Sequence, residues 1–158
     1  MQKIRVAIIG QGRSGRDIHG RYLSADKRFK IMAVADPIKE RRDRAASEYN
    51  CDTYKDYHDF FKRDDIDLIV NSTQSHMHAD VSYEILKAGF NCLSEKPAAS
   101  KASDVAKLIR ASKRYGKAYM IYQQSRFAPF FQQTRKVIES GVLGRIVAIG
   151  ISYSGYAR

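Results

Sequence analysis

Residues 4–15 read IRVAIIGQGRSG, and the fold of the chain turns on them. Six residues of an apolar run pass directly into three glycines, Gly10, Gly12 and Gly15, spaced G-x-G-x-x-G. The run has the length of a buried strand, and SGRDIHGRYLS (14–24) behind it alternates like an amphipathic helix. In a strand–turn–helix unit each glycine has its own task. Gly10 permits the tight turn, Gly12 lets backbone approach a pyrophosphate, and Gly15 lets helix and strand pack closely. The opening turn of the helix, with Arg13 and Ser14, then faces the phosphates with free N–H groups and about half a positive charge. Glycine-rich turns also serve purely structural ends, so the array needs context. Asp36, closing the next apolar run FKIMAVAD (29–36), supplies it, because an acid there accepts hydrogen bonds from the adenosine ribose.

The rest of the chain continues the alternation of strand-length and helix-length segments expected of an α/β protein with a doubly wound parallel sheet. Helix 39–49, a short helix 54–63, strand 66–73, helix 78–89, strand 91–94, helix 101–116 and strand 118–123 follow in order. That completes a dinucleotide-binding Rossmann domain over residues 1–123. Helix 130–140 and an alternating strand RIVAIGISYSG (145–155) belong to something else. A strand needs a sheet, so residues 124–158 are expected to open a second, truncated α/β domain. Helix 101–116 should bury Val105, Leu108, Ile109 and Ser112 and expose Lys107, Arg110 and Arg114.

The 158 residues suffice for one domain that buries roughly 70% of its unfolded surface. Two isolated cysteines, Cys51 and Cys92, make neither a disulfide framework nor a zinc site. No leader or membrane-length apolar run is seen, and a cytoplasmic protein with no membrane partner is expected. The net charge of +11 raises nucleic acid as a partner. The basic residues of helix 101–116 lack the interleaved aromatics of a stacking platform, so a solvated face is the expectation and nucleic acid is set aside. Steering of anionic cofactors is the remaining use of that charge. His76 and His78 form an H-x-H pair with no acid or cysteine cluster to complete a metal site. His19 either faces the nicotinamide end of the crevice or packs beside it; His58 is expected in solvent.

Asp36 also bears on the cofactor. A 2′-phosphate within about 4 Å of a carboxylate costs roughly 4 kcal/mol per charge pair at an effective dielectric near 20. NAD is therefore expected, with NADP disfavoured, although Lys39, Arg41 or Arg42 could instead neutralise a phosphate.

NCLSEKPAAS (91–100) leaves a strand through Glu95, Lys96 and Pro97. Ligands of such sheets lie beyond the carboxyl ends of the strands, where Gly10, Asp36, Thr73 and Ser94 fall. From position alone the turn is either an ordinary charged surface turn or a catalytic one. A cis proline is an expectation here. In the catalytic case Lys96 would hydrogen-bond a substrate hydroxyl that loses its proton as hydride leaves.

Together, AIIGQGRSG, VAD, DLIVNSTQSHMHAD, ILKAGFNCLSEKPAAS and QQSRFAP…GVLGRI resemble the Gfo/Idh/MocA oxidoreductases over essentially the whole chain. The resemblance implies an NAD-dependent oxidoreductase of sugars, cyclitols or related polyols, homo-oligomeric at full length. It implies that Lys96 assists proton transfer. It further implies that Thr73, Gln74, His78, Glu95 and Lys96 itself flank the cofactor with Gly10, Gly12, Arg13, Ser14, Gly15 and Asp36. Gln74 stands where the family usually has proline, and Tyr122 where it has a smaller residue. Gln124, Arg126, Phe127 and Pro129 resemble the passage into a substrate domain. The family's catalytic Asp and His come from that domain, so the 158 residues alone are expected to be inactive. A dinucleotide-sensing module without hydride transfer is the alternative.

Overall fold

The computed structural model describes residues 2–152, 154 and 155. Six strands form one parallel sheet: β1 (Ile4–Ile9), β2 (Phe29–Ala35), β3 (Asp52–Tyr54), β4 (Leu68–Asn71), β5 (Asn91–Ser94) and β6 (Tyr119–Ile121). Their order, β3-β2-β1-β4-β5-β6, reverses direction between β1 and β4. A crevice opens at such a reversal because the crossover connections leave it on opposite faces.

Each connection carries a helix. Ser14–Gly20 is π-helical and continues into α1 (Arg21–Ala25); α2 (Lys39–Tyr49), α3 (His78–Lys87) and α4 (Ala102–Tyr115) follow. Because the inner part of β1, Val6 to Ile9, is covered on both faces, it reads as an unbroken apolar run rather than an alternating one. Its side chains nonetheless divide by parity. Ala7 and Ile9 join Ile69 and the α3 and α4 residues Val81, Ile85, Leu86, Leu108 and Ala111. Val6 and Ile8 join Ile31, Val34, Leu23 and Ala45 on the other face. The register of β1 against β2 skips Met32, so Ile31 and Val34 share one face despite their odd separation.

Four readings of the sequence are corrected. β3 went unread: it is a three-residue edge strand, DTY, without an apolar core residue to announce it. The short helix beyond it is a 3₁₀ turn, Tyr57–Lys62, opened by Asp56, which accepts the His58 N–H at 3.0 Å. On α4 the buried residues are Leu108 and Ala111, while Ile109 is 49% exposed. One residue along a helix is a 100° turn, and that carries Ile109 off the face set by Leu108.

The fourth correction concerns 145–155. The chain divides into two compact units, Met1–Tyr122 and Gln123–Arg158. In the second, α5 (Pro129–Glu139) starts on Pro129 in its first turn and ends before Gly141 at φ +72°. No strand exists among the described residues after it. An alternating pattern is only half of a strand, and without a neighbour to take its N–H and C=O groups it does not form one. Among the described residues no helix is long and apolar enough to cross a membrane, and no three His, Cys, Asp or Glu converge as a metal site.

Candidate cofactor and substrate site

The carboxyl ends of β1, β2 and β4 surround a cleft of about 870 Å³. Gly10, Gly12, Arg13, Ser14, Asp36, Thr73 and Gln74 line it, as do Arg41, Lys55, Tyr57 and Met77. Gly10 and Gly15 stand where a side chain would collide with backbone carbonyls. Gly10 has φ +87°, and a Cβ there would lie 2.5 Å from the Ser72 carbonyl oxygen. A Cβ on Gly15 would lie 1.8 Å from the Gly10 carbonyl, so Gly15 sits beneath the cleft rather than in its wall. Gly12 differs: its Cβ would meet nothing of the protein nearer than Arg41 Nη1 at 3.9 Å. The protein leaves that space open, as a phosphate cradle requires.

Asp36 is only 2% exposed. Its Oδ2 accepts the Gln11 N–H at 2.7 Å and its Oδ1 the Ile38 N–H at 2.9 Å, so the acid also pins the glycine loop to β2. Arg41 Nη1 stands 3.5 Å from Oδ2. Arg42 donates to the Asp36 carbonyl at 2.8 Å, and Arg44 to the Gln11 carbonyl at 3.1 Å. These guanidinium groups hold the loop rather than decorating an exposed helix face. Lys39 is turned away onto Asp43 at 2.6 Å.

The lysine turn lies farther along the same rim and outside the lining of this cleft. Glu95 follows β5 directly, its N–H donating to the Asn71 carbonyl at 2.9 Å. Lys96 is exposed, and the Lys96–Pro97 peptide is cis, as expected from the sequence. Glu95 is buried, with Oε1 3.0 Å from His19 Nε2. Burial pushes the His19 pKa below its ordinary value, and the nearby Glu95 carboxylate only partly offsets this. His78, also buried, does not line the cleft. Its ring stands between two backbone carbonyls, Nδ1 2.7 Å from that of Pro97 and Nε2 3.1 Å from that of Thr73. His58 is exposed beside Asp56 and Glu84, as read from the sequence.

Besides the lining residues Lys55, Tyr57 and Met77, two buried positions escaped the sequence reading. Fully buried Asn71 donates to the His78 carbonyl and to Ser82 Oγ, and accepts from Thr73 Oγ1 at 2.7 Å, which fixes the loop after β4. An asparagine inside the apolar run LIVN was the available signal. Gly20 was the other: its absent Cβ leaves room for Tyr49 Oη, which would lie at 2.2 Å.

The glycine loop, the switch-point cleft and the lysine turn coincide with one family of proteins. The Gfo/Idh/MocA oxidoreductase family, in its NAD-binding Rossmann fold, matches residues 4–123. The chain belongs to this family. Among its curated relatives, a 2,7-anhydro-N-acetylneuraminate hydratase of Mediterraneibacter gnavus is 26% identical over 99% of the chain and 41% of its own length. The inositol 2-dehydrogenase of Salmonella typhimurium is 28% identical over 90% of the chain and 43% of its own length. The WlbA dehydrogenase of Bordetella pertussis, solved with NADH and UDP-GlcNAcA, superposes with a TM-score of 0.83 at 26% identity, covering 91% of the chain and 42% of that structure. The chain thus spans less than half the length of these Gfo/Idh/MocA relatives.

Proposed function

We propose that this chain is the cofactor-binding part of an oxidoreductase that moves hydride between NAD and a sugar, cyclitol or related polyol. One observation carries the reading: Lys96 leaves β5 beside β4, whose own end lines the open cradle at Gly12. The names of the relatives support the substrate class, since one is an inositol dehydrogenase and another was solved with a nucleotide sugar.

NAD, when bound, supplies the hydride acceptor. Gly10, Gly12, Arg13 and Ser14 hold the pyrophosphate, while Asp36, Thr73 and Gln74 flank the ribose and the path toward nicotinamide. Lys96 takes the proton of the substrate hydroxyl as its carbon gives up hydride, and returns it in the reverse direction. Substrate selection and the homo-oligomer interface belong to parts of the full-length protein outside these residues.

Asp36 favours NAD over NADP. Its carboxylate faces the cleft and would oppose a 2′-phosphate, while Arg41 beside it is already drawn to that carboxylate. Fluorescence titration of the full-length protein should give at least tenfold tighter binding of NADH than of NADPH; equal or reversed affinities would refute the preference. Turnover should appear in a panel of cyclitols and sugars, myo-inositol among them, followed by NADH absorbance. A second reading, a dinucleotide sensor, draws on the fact that Lys96 lies outside the lining of the cleft. A sensor would bind NADH and turn over none of the panel.

A further inference from the structure

Lys96 is exposed, yet the residues on either side of it are gripped from beneath. On one side, Glu95 and His19 are 5% and 4% exposed and meet at 3.0 Å across 76 positions of sequence. The second oxygen of the same carboxylate accepts the Lys96 backbone N–H at 3.2 Å. The His19 ring also packs edge-on against Tyr122, with centroids 4.7 Å apart. On the other side, His78 is 2% exposed, with Nδ1 2.7 Å from the Pro97 carbonyl and Nε2 3.1 Å from that of Thr73.

Both histidines belong to segments that begin at the cleft. His19 lies in the π-helical stretch Ser14–Gly20, which starts with the cleft residue Ser14. His78 opens α3, directly after Met77, which lines the cleft with Thr73 and Gln74. Stability alone would be served as well by apolar side chains in both places, since a buried ion or polar pair gains little over well-packed hydrocarbon. Placement of a lysine is a different requirement. Its side chain is long and flexible, and a productive site tolerates roughly 0.5 Å of misplacement.

We propose that His19 and His78 are positioning residues that clamp the Lys96 turn, through Glu95 and the Pro97 carbonyl respectively, and tie it to the two loops lining the dinucleotide cleft. The proposal rests on the reading of Lys96 as the proton-handling residue. Its consequence is that cofactor docking and lysine placement share one rigid framework.

The test uses full-length protein labelled with ¹⁵N-lysine, in which K96R identifies the Lys96 amide signal by its loss. H19A should speed exchange of that amide with water at least tenfold, because Glu95 Oε2 loses its fixed position. H19Q, whose amide can reach Glu95, should restore exchange to within threefold of wild type. H78A should also speed it. Turnover of myo-inositol with NAD should fall about tenfold in H19A, with the NADH dissociation constant within threefold of wild type. Unchanged exchange in both alanine variants overturns the clamp, as does a loss of NADH affinity equal to the loss of turnover. Should H19A fail to fold, isosteric E95Q serves instead, with faster Lys96 exchange expected and unchanged exchange overturning the proposal. The two layers separate cleanly. If myo-inositol is not turned over, amide exchange alone decides the clamp; full turnover in K96A would overturn the role of Lys96 and leave the clamp standing.

Discussion

The two ends of the rim are built on opposite plans. At the glycine end the backbone does the shaping, and what matters is what is missing: Gly10 and Gly15 lack side chains because Ser72 and Gly10 carbonyls occupy their space. At the lysine end the turn is held by buried polar side chains from distant segments, His19 against the Glu95 carboxylate and His78 against the Pro97 carbonyl. The first plan makes a cradle of fixed shape. The second makes a turn whose placement depends on several long-range contacts, so changes at the two ends should separate binding, folding and chemistry.

The largest effect is expected at the lysine end. K96A in the full-length protein should lower kcat by about 10²–10⁴, the usual contribution of a positioned proton-transfer group. The NADH dissociation constant should stay within threefold, because the cleft is lined without Lys96. Stopped-flow turnover beside fluorescence titration makes the comparison. Equal losses in both would place Lys96 in cofactor binding and erase the proposed division of the rim.

At the glycine end, two alanine substitutions should behave differently. In G15A the new methyl would lie 1.8 Å from the Gly10 carbonyl carried by the same loop, a contact no rotamer relieves. A stability loss of roughly 3 kcal/mol or more is expected, read as a lower midpoint in urea. G12A meets only the far end of Arg41 at 3.9 Å, so stability should stay within about 0.5 kcal/mol. NADH affinity should nevertheless fall at least tenfold. If G12A binds NADH normally, the open space at Gly12 is not the phosphate cradle.

This contrast also explains what could be read from the sequence. Gly10, Gly15 and Asp36 were legible because their constraints are local, a turn, a close approach and the end of one strand. β5 and the cis turn at Pro97 were legible for the same reason. The partnership of His19 with Glu95 was not, since no short spacing encodes a contact across 76 positions. His78 was assigned to the cofactor by resemblance alone, whereas its two ring nitrogens face carbonyls inside the wall. β3 escaped because an edge strand of three residues needs little apolar character. The strand expected at 145–155 failed for the converse reason, a pattern with no partner among the described residues.

The smallest expected effect is a pH dependence that only the lysine end should show. In the unfolded chain His19 takes up a proton near its ordinary pKa of 6.5, whereas burial lowers that value in the folded protein. Below pH 6.5 the unfolded state therefore binds more protons, and folding stability falls with pH until the folded value is passed. The slope from one such group is at most about 1.4 kcal/mol per pH unit. Asp56, Asp65, Asp67 and Glu48 carry the same sign of linkage in a lower pH window, their pKa values lowered mainly by hydrogen bonds. Their stabilisation is complete above the ordinary carboxylate range and lost beneath it, so it falls away at lower pH and equally in a His19 variant. H19Q removes the histidine proton alone. The stability advantage of wild type over H19Q in urea should therefore shrink as pH is lowered from 7 to 5.5. An advantage that grows over that interval would mean that Glu95 holds His19 as a charged imidazolium, and the balance between burial and ion pairing at the lysine turn would be the reverse of the one described.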